Sequence, residues 1–180
     1  MKKQKGFSLI ELLIVVAIIL IIAAIAIPNL LRSKIAANES SAVGSVRTIG
    51  TAEVTYSSSW GSGFAPTLAE LGGVAPCAVA SAAAACLIDP LLSVAPNSKS
   101  GYVFAAAGTL PVAAINNGFE VNATPVTAQT TGVRSFCDDQ TGVIKFVVNA
   151  AAGPGVPIGT AAGSCIGVAT VVGTSGPVGN

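Results

Sequence analysis

The distribution of apolar positions changes character along this chain, and each change marks an element. Residues 12–27 are apolar without exception, and Phe7, Leu9 and Ile10 carry the run backwards past one carboxylate, Glu11. A helix rises about 1.5 Å per residue, so roughly 20 such residues cross the hydrocarbon core of a bilayer. Past Arg32 the pattern becomes amphipathic. Ile35, Ala42, Val46, Ile49, Ala52 and Tyr56 share one helical face, while Ser40, Arg47 and Thr51 lie away from it. Together the two patterns predict one helix over residues 7–57, roughly 75 Å long, with its second half packed on a sheet. Pro28 removes a backbone donor and crowds the preceding turn, so a kink is expected there. Gly44 and Gly50 each weaken the helix by about 1 kcal/mol relative to Ala; either marks a close approach to a neighbouring element or, on the simpler reading, is a tolerated imperfection. The run SSSWGSG ends the helix near residues 57–60.

Beyond it the period shortens. Residues 66–73, PTLAELGG, predict a short helix with Pro66 at its start and Gly72 as its stop. Cys77 and Cys86 bracket an alanine-rich loop, and a second short turn is expected over residues 87–92. Strands are expected at 102–104 and 118–123. The clearest pair is 132–137 and 142–148, joined by Asp138-Asp139-Gln140-Thr141 as the hairpin turn. Consecutive strands with short links imply an antiparallel sheet, and the fold class is α+β. The tail from 149 to 180 is rich in Gly, Ala, Pro and Val, and residues 168–172 suggest an edge strand.

The N-terminus carries the most specific information. Lys2, Lys3 and Lys5 precede the apolar run and hold that end on the cytoplasmic side, so that everything after Leu31 is exported. A secretory signal has its small-residue cleavage site after the apolar region. Here Gly6 comes before it, so a cut there keeps the apolar segment on the mature chain. An ionised Glu11 deep in a bilayer costs on the order of 2.5–3.5 kcal/mol, which a plain anchor has no use for.

The run Lys5-Gly6-Phe7-Ser8-Leu9-Ile10-Glu11-Leu12-Leu13, with Pro28 inside IPNLL, resembles the N-terminus of a bacterial type IV pilin precursor of the type IVa-like major pilins. The likeness is detailed over residues 1 to about 57 and extends to the remainder only in general layout. It implies the pilin fold: a long N-terminal helix whose hydrophobic half protrudes and whose amphipathic half packs on an antiparallel sheet. It implies a leader, residues 1–6, cut between Gly6 and Phe7 by a prepilin peptidase that also N-methylates Phe7. Residues 7–31 would then be the transmembrane and filament-core helix, 32–58 its amphipathic half, and 59–100 a surface connection between neighbouring subunits. Residues 101–180 would form the sheet and its disulfide-tied tail. The resemblance further implies partners: the chain itself as a helical homopolymer, a cytoplasmic ATPase, and an inner-membrane assembly platform. The location is the inner membrane before assembly and an extracellular pilus afterwards. In the family the helix around the proline can loosen on assembly, which here means residues 23–29.

A physical role for Glu11 follows without the family name. Cleavage exposes an amino group on Phe7 that stays cationic when methylated, so one subunit's carboxylate could neutralise the next subunit's amine. A buried pair of this kind adds little raw stability but penalises wrong registers.

Composition narrows the remaining functions. The chain has 180 residues, 52% hydrophobic and only 9% charged, against about 25% charged in typical soluble domains. Without the three leader lysines it holds six basic and eight acidic side chains, with no basic patch to suggest nucleic acid. It contains no histidine, so triad and imidazole acid–base chemistry are out of reach, and no glycine loop leads into a helix in a phosphate-binding arrangement. We therefore expect no enzyme and no cofactor. The four cysteines lack any CxxC spacing, which argues against zinc, and an exported domain favours disulfides. Three pairings are possible. We expect Cys77–Cys86 as a local staple and Cys137–Cys165 tying the tail to the sheet. Asp138 and Asp139 are a weak calcium candidate, since a pseudopilin of type II secretion can hold calcium in its C-terminal region, but a solvated hairpin turn is the simpler reading. The leading function is a pilus subunit serving adhesion, twitching motility or DNA uptake, and the alternative is a major pseudopilin of a type II secretion system; the sizeable domain with two expected disulfides and a low-charge, Ala/Gly-rich surface leans towards the exposed filament.

Overall fold

The computed structural model describes residues 7–73, 77, 79–150, 152–155, 165 and 175–178. The chain divides into two compact units between Lys34 and Ile35. One helix, α1 (Leu9–Trp60), contributes to both. In the first unit it continues through Pro28 as helix, so residues 23–29 are helical here. This part is long and apolar enough to cross a membrane, and none of its most hydrophobic window is buried.

In the second unit α1 becomes one wall of a core. Its buried residues are Glu39, Ala42, Ser45, Val46, Ile49, Gly50, Ala52, Glu53 and Tyr56, recurring every three or four positions. Ile35 is only half-buried, and Ser40, Arg47 and Thr51 are exposed. The two interior glycines differ. Gly44 faces open space, whereas a Cβ on Gly50 would stand 2.7 Å from Oδ2 of Asp138. Gly50 is thus a close-approach position rather than a tolerated flaw, because the sheet needs the space that its side chain leaves.

Two short helices follow. The first, α2 (Leu68–Leu71), is capped by Thr67, whose hydroxyl accepts from the Ala69 N–H, and stopped by Gly72. Pro66 therefore lies one residue before the cap and not inside the helix. The second, α3 (Pro90–Ser93), has Asp89 as its N-cap and Pro90 in its first turn.

The sheet is a six-stranded antiparallel meander in sequence order: β1 (Ser98–Lys99), β2 (Tyr102–Val112), β3 (Ile115–Pro125), β4 (Arg134–Asp139), β5 (Lys145–Val148) and β6 (Ser175–Pro177). The first two expected strands are parts of a longer hairpin in which Val112 pairs with Ile115. Its two-residue turn is Ala113-Ala114, both at positive φ (51° and 66°). Such turns usually signal themselves with Asn-Gly; two alanines hide this one. Asp138 and Asp139 are not the β4–β5 turn. Asp139 is level with Glu120 and Asp138 with Val121, so both lie on the β3–β4 ladder. The turn closes later, where Gly142 at φ +70° donates to the Asp139 carbonyl. The edge strand expected at 168–172 lies outside the described residues.

Aromatic pairs fill the core between helix and sheet. Phe64 meets Phe119 with ring centroids 5.0 Å apart, and Tyr102 meets Phe136 at 6.0 Å. The Tyr102 hydroxyl donates to the Arg134 carbonyl across the sheet. Burying a side chain of this size stabilises the fold by up to about 3 kcal/mol.

Candidate functional site

The N-terminal turn of α1 is closed by one hydrogen bond between Glu11 and the residue before the helix. The helix starts at Leu9, which makes Ser8 its N-cap and Glu11 the third helical residue. The backbone N–H of Ser8 donates to Oε2 of Glu11 at 2.9 Å. A carboxylate at this position reaching back to the cap is half of a capping box, and it also lies at the positive end of the helix dipole. Glu11 is therefore engaged within its own subunit. Phe7, just ahead of the helix, is exposed. Gly6, the other half of the expected cleavage site, lies outside the described residues.

From Phe7 to Leu31 the large apolar side chains are all exposed, between 45% and 81%. Isolated soluble proteins rarely expose apolar patches larger than a few hundred Å². This surface demands either lipid or other apolar helices. Pro28 sits within it.

The cysteines form two disulfides. Cys77 is joined to Cys86 and Cys137 to Cys165, with Cα–Cα distances of 6.0 and 5.9 Å. The second bond fastens a tail residue to β4, and further contacts hold the same point. The Cys165 N–H donates to Glu120 Oε1, and Lys145 Nζ donates to the Cys165 carbonyl at 2.9 Å.

Asp138 and Asp139 are both buried. Asp139 Oδ2 lies 3.6 Å from Lys145 Nζ, and Asp139 Oδ1 accepts from the Thr141 N–H. Asp138 Oδ1 accepts from the Asp139 N–H. Burial raises the Asp138 carboxyl to about 6 against that hydrogen bond, Asp139 adds to the rise, and Arg47 and Lys145 oppose it. One oxygen of each carboxyl thus accepts a backbone N–H, while Asp139 Oδ2 is buried with only the Lys145 ammonium near it. Among the described residues no group of three or more His, Cys, Asp or Glu comes together to hold a metal. The two side chains point to opposite faces of the sheet and both are buried, so they do not form a solvated turn.

Two further carboxylates were missed by the hydrophobic count. Glu39 is nearly buried and bound to Arg134, and Glu53 is fully buried with Oε2 accepting from the Ala65 N–H at 2.8 Å. The signal was present: positions 39 and 53 share the helical phase of Ala42, Val46 and Tyr56, so each places an acid on the apolar stripe. Desolvation pushes Glu53 up to about 8; the Ala65 hydrogen bond opposes this and the Glu70 charge adds to it. Burial thus favours the protonated form of Glu53.

Comparison with known proteins picks out the same N-terminal segment. The prokaryotic N-terminal methylation motif matches residues 1–27. Over 39 residues the chain is 62% identical to the type IV wide pilus major component PilA4 of Thermus thermophilus. That stretch is 22% of this chain and 30% of the relative, so the match spans less than a third of the relative's length. No solved structure matches the chain. The chain thus carries a prokaryotic N-terminal methylation motif at the head of a long helix whose later turns lie on an antiparallel sheet, and over a short stretch it is similar to a type IV pilus component.

Proposed function

We propose that this chain is the repeating structural subunit of a type IV pilus, stored in the inner membrane with its N-terminus cytoplasmic and assembled into a helical surface filament. The observation that carries this reading is the exposed apolar surface from Phe7 to Leu31, interrupted by one carboxylate, Glu11. Lipid covers that face before assembly and the same face of other copies covers it afterwards. Transfer between two apolar surroundings involves little net hydrophobic free energy, so packing and polar pairing determine the register.

A prepilin peptidase cuts between Gly6 and Phe7 and methylates the new amine, which then meets the Glu11 carboxylate of a neighbouring copy. Glu11 exchanges its hold on the Ser8 N–H, or shares it, for this cation. Pro28 is the place where the helix loosens as copies pack. An inner-membrane platform and its ATPase supply the work of extraction. The filament serves adhesion, twitching motility or DNA uptake. The sizeable domain with two disulfides and a low-charge, Ala/Gly-rich composition favours this reading over a short secretion pseudopilus.

Electron microscopy of sheared surface material, with mass spectrometry of its N-terminal peptide, tests the proposal. It requires fibres whose protein begins at methylated Phe7. A mature chain that still begins at Met1, or deletion that retains exoproteins in the periplasm without loss of fibres, contradicts it.

A further inference from the structure

The charges flanking the apolar part of α1 are spaced like the two faces of a bilayer. Between Glu11 and Arg32 lie residues 12–31, 20 positions without a charge. In a helix they rise about 30 Å, the thickness of a hydrocarbon core. When Glu11 sits in one headgroup layer, Arg32 and Lys34 emerge in the other. Both cations are exposed, and neither has an ion-pair partner among the described residues. Of the other described cations, Lys99 pairs with Asp89, Arg134 with Glu39 and Lys145 with Asp139, while Arg47, further along α1, has no ion pair either. The chain's own acids thus leave these two cations unmatched at the membrane boundary. Two positions apart on a helix, they leave the axis about 200° apart and so reach different neighbours.

We propose that Arg32 and Lys34 form a two-sided clamp on anionic lipid headgroups of the exported leaflet, fixing the depth and tilt of the stored subunit. The clamp rests on the reading that residues 9–31 span the membrane. The guanidinium takes a phosphodiester through two parallel N–H···O bonds, and the lysine ammonium acts as a point charge on the opposite side. Close to an anionic surface each such cation contributes about a fivefold gain in association. Drawing the subunit into a filament breaks both contacts, so the clamp opposes premature extraction.

The test uses the full chain in phosphatidylcholine vesicles with a trace of spin-labelled phosphatidylglycerol or spin-labelled phosphatidylcholine. The immobilised fraction of each lipid is read by electron spin resonance. Wild type is expected to prefer phosphatidylglycerol, with at least a threefold loss of that preference in Arg32→Gln/Lys34→Gln and retention in Arg32→Lys. The leader lysines act equally in every variant and cancel in the comparison. An unchanged preference in the double Gln variant overturns the proposal. An unchanged preference with loss of filaments overturns it too, and assigns the cations to acidic groups of a second copy. Absence of any immobilised lipid, with either headgroup, shows that the helix does not span and removes the foundation as well. A clear immobilised fraction without headgroup preference leaves the span intact and sinks the clamp alone.

Discussion

Glu39 on α1 and Arg134 on β4, 95 residues apart, meet in a two-point ion pair: Oε2 of Glu39 accepts from Nε at 2.9 Å and from Nη2 at 2.7 Å. The other oxygen, Oε1, accepts the backbone N–H groups of Val133 and Arg134 at 2.8 and 3.0 Å. One carboxylate thus ties the helix to both the backbone and the side chain of the strand. The guanidinium also lies over the rings of Phe136 and Phe146, at 5.5 and 5.3 Å. Glu39 is nearly buried while Arg134 is 39% exposed, so water screens part of the charge pairing and the backbone bonds carry more of the effect. Glu39→Ala is expected to destabilise the second unit by about 3 kcal/mol, and Glu39→Gln, whose amide oxygen still accepts, by about 1 kcal/mol. Urea unfolding of the full chain in detergent, followed by near-UV circular dichroism, measures both. Equal losses would mean that charge alone matters.

Glu53 gives the stability a pH dependence. In the folded chain its carboxyl stays protonated up to about 8, against an ordinary value of 4.5. Between those values the unfolded chain releases the proton and the folded chain keeps it. Rising pH therefore favours unfolding, and the contribution is fully present only below about 4.5. Asp138 acts in the same direction over its own window, from 3.8 to about 6. Stability is expected to fall between about pH 4 and pH 8 and then level off. Glu53→Gln should raise stability at pH 8 by a few kcal/mol, on the order of the linkage effect, and flatten the profile above pH 6. Unfolding midpoints at a series of pH values check the sign.

The same substitution at the two interior glycines of α1 should have opposite effects. Gly44→Ala gains helix propensity with nothing in the way and is expected to stabilise by about 0.5–1 kcal/mol. Gly50→Ala gains the same propensity, but its Cβ lands 2.7 Å from Oδ2 of the buried Asp138, which must shift. Overpacking of this kind costs about 1–3 kcal/mol, so the net change is a loss of about 1 kcal/mol. Thermal melts of the two variants side by side decide it.

These outcomes also mark what the sequence could reveal. The period of α1 was legible because Ala42, Val46, Ile49 and Tyr56 repeat at helical spacing over several turns. Counting hydrophobes alone overlooked Glu39 and Glu53, although both stand on that stripe; an acid in phase with a buried face is itself a signal of a buried partner. The extent of the β2–β3 hairpin was hidden for another reason. Its middle is Ala-rich and its turn is Ala113-Ala114, so neither propensity nor turn chemistry announces it. Asp138 and Asp139 looked like turn residues because acids favour turns. Strand pairing with β3 overrode that preference, helped by Lys145 and by the space at Gly50. At the N-terminus, Ser8 and Glu11 carry the spacing of a capping box, and the hydrogen bond between them is what that spacing implies.

That hydrogen bond separates two possible duties of Glu11. As a cap, it needs only an acceptor at the third helical position, which Gln supplies nearly as well. As the partner of a neighbour's N-terminal amine, it needs a negative charge, which Gln lacks and Val lacks altogether. Glu11→Gln should therefore keep the first turn of α1 and its insertion into the membrane, yet fail to form filaments. Glu11→Val should lose the cap, about 1 kcal/mol of helix stability at that end, and also fail to assemble. Carbonate extraction of membranes reports insertion, and electron microscopy of sheared material reports filaments. Normal fibres from Glu11→Gln, with none from Glu11→Val, would show that the cap is the whole of its role. Absence of fibres from both, with insertion intact, assigns the register to the charge.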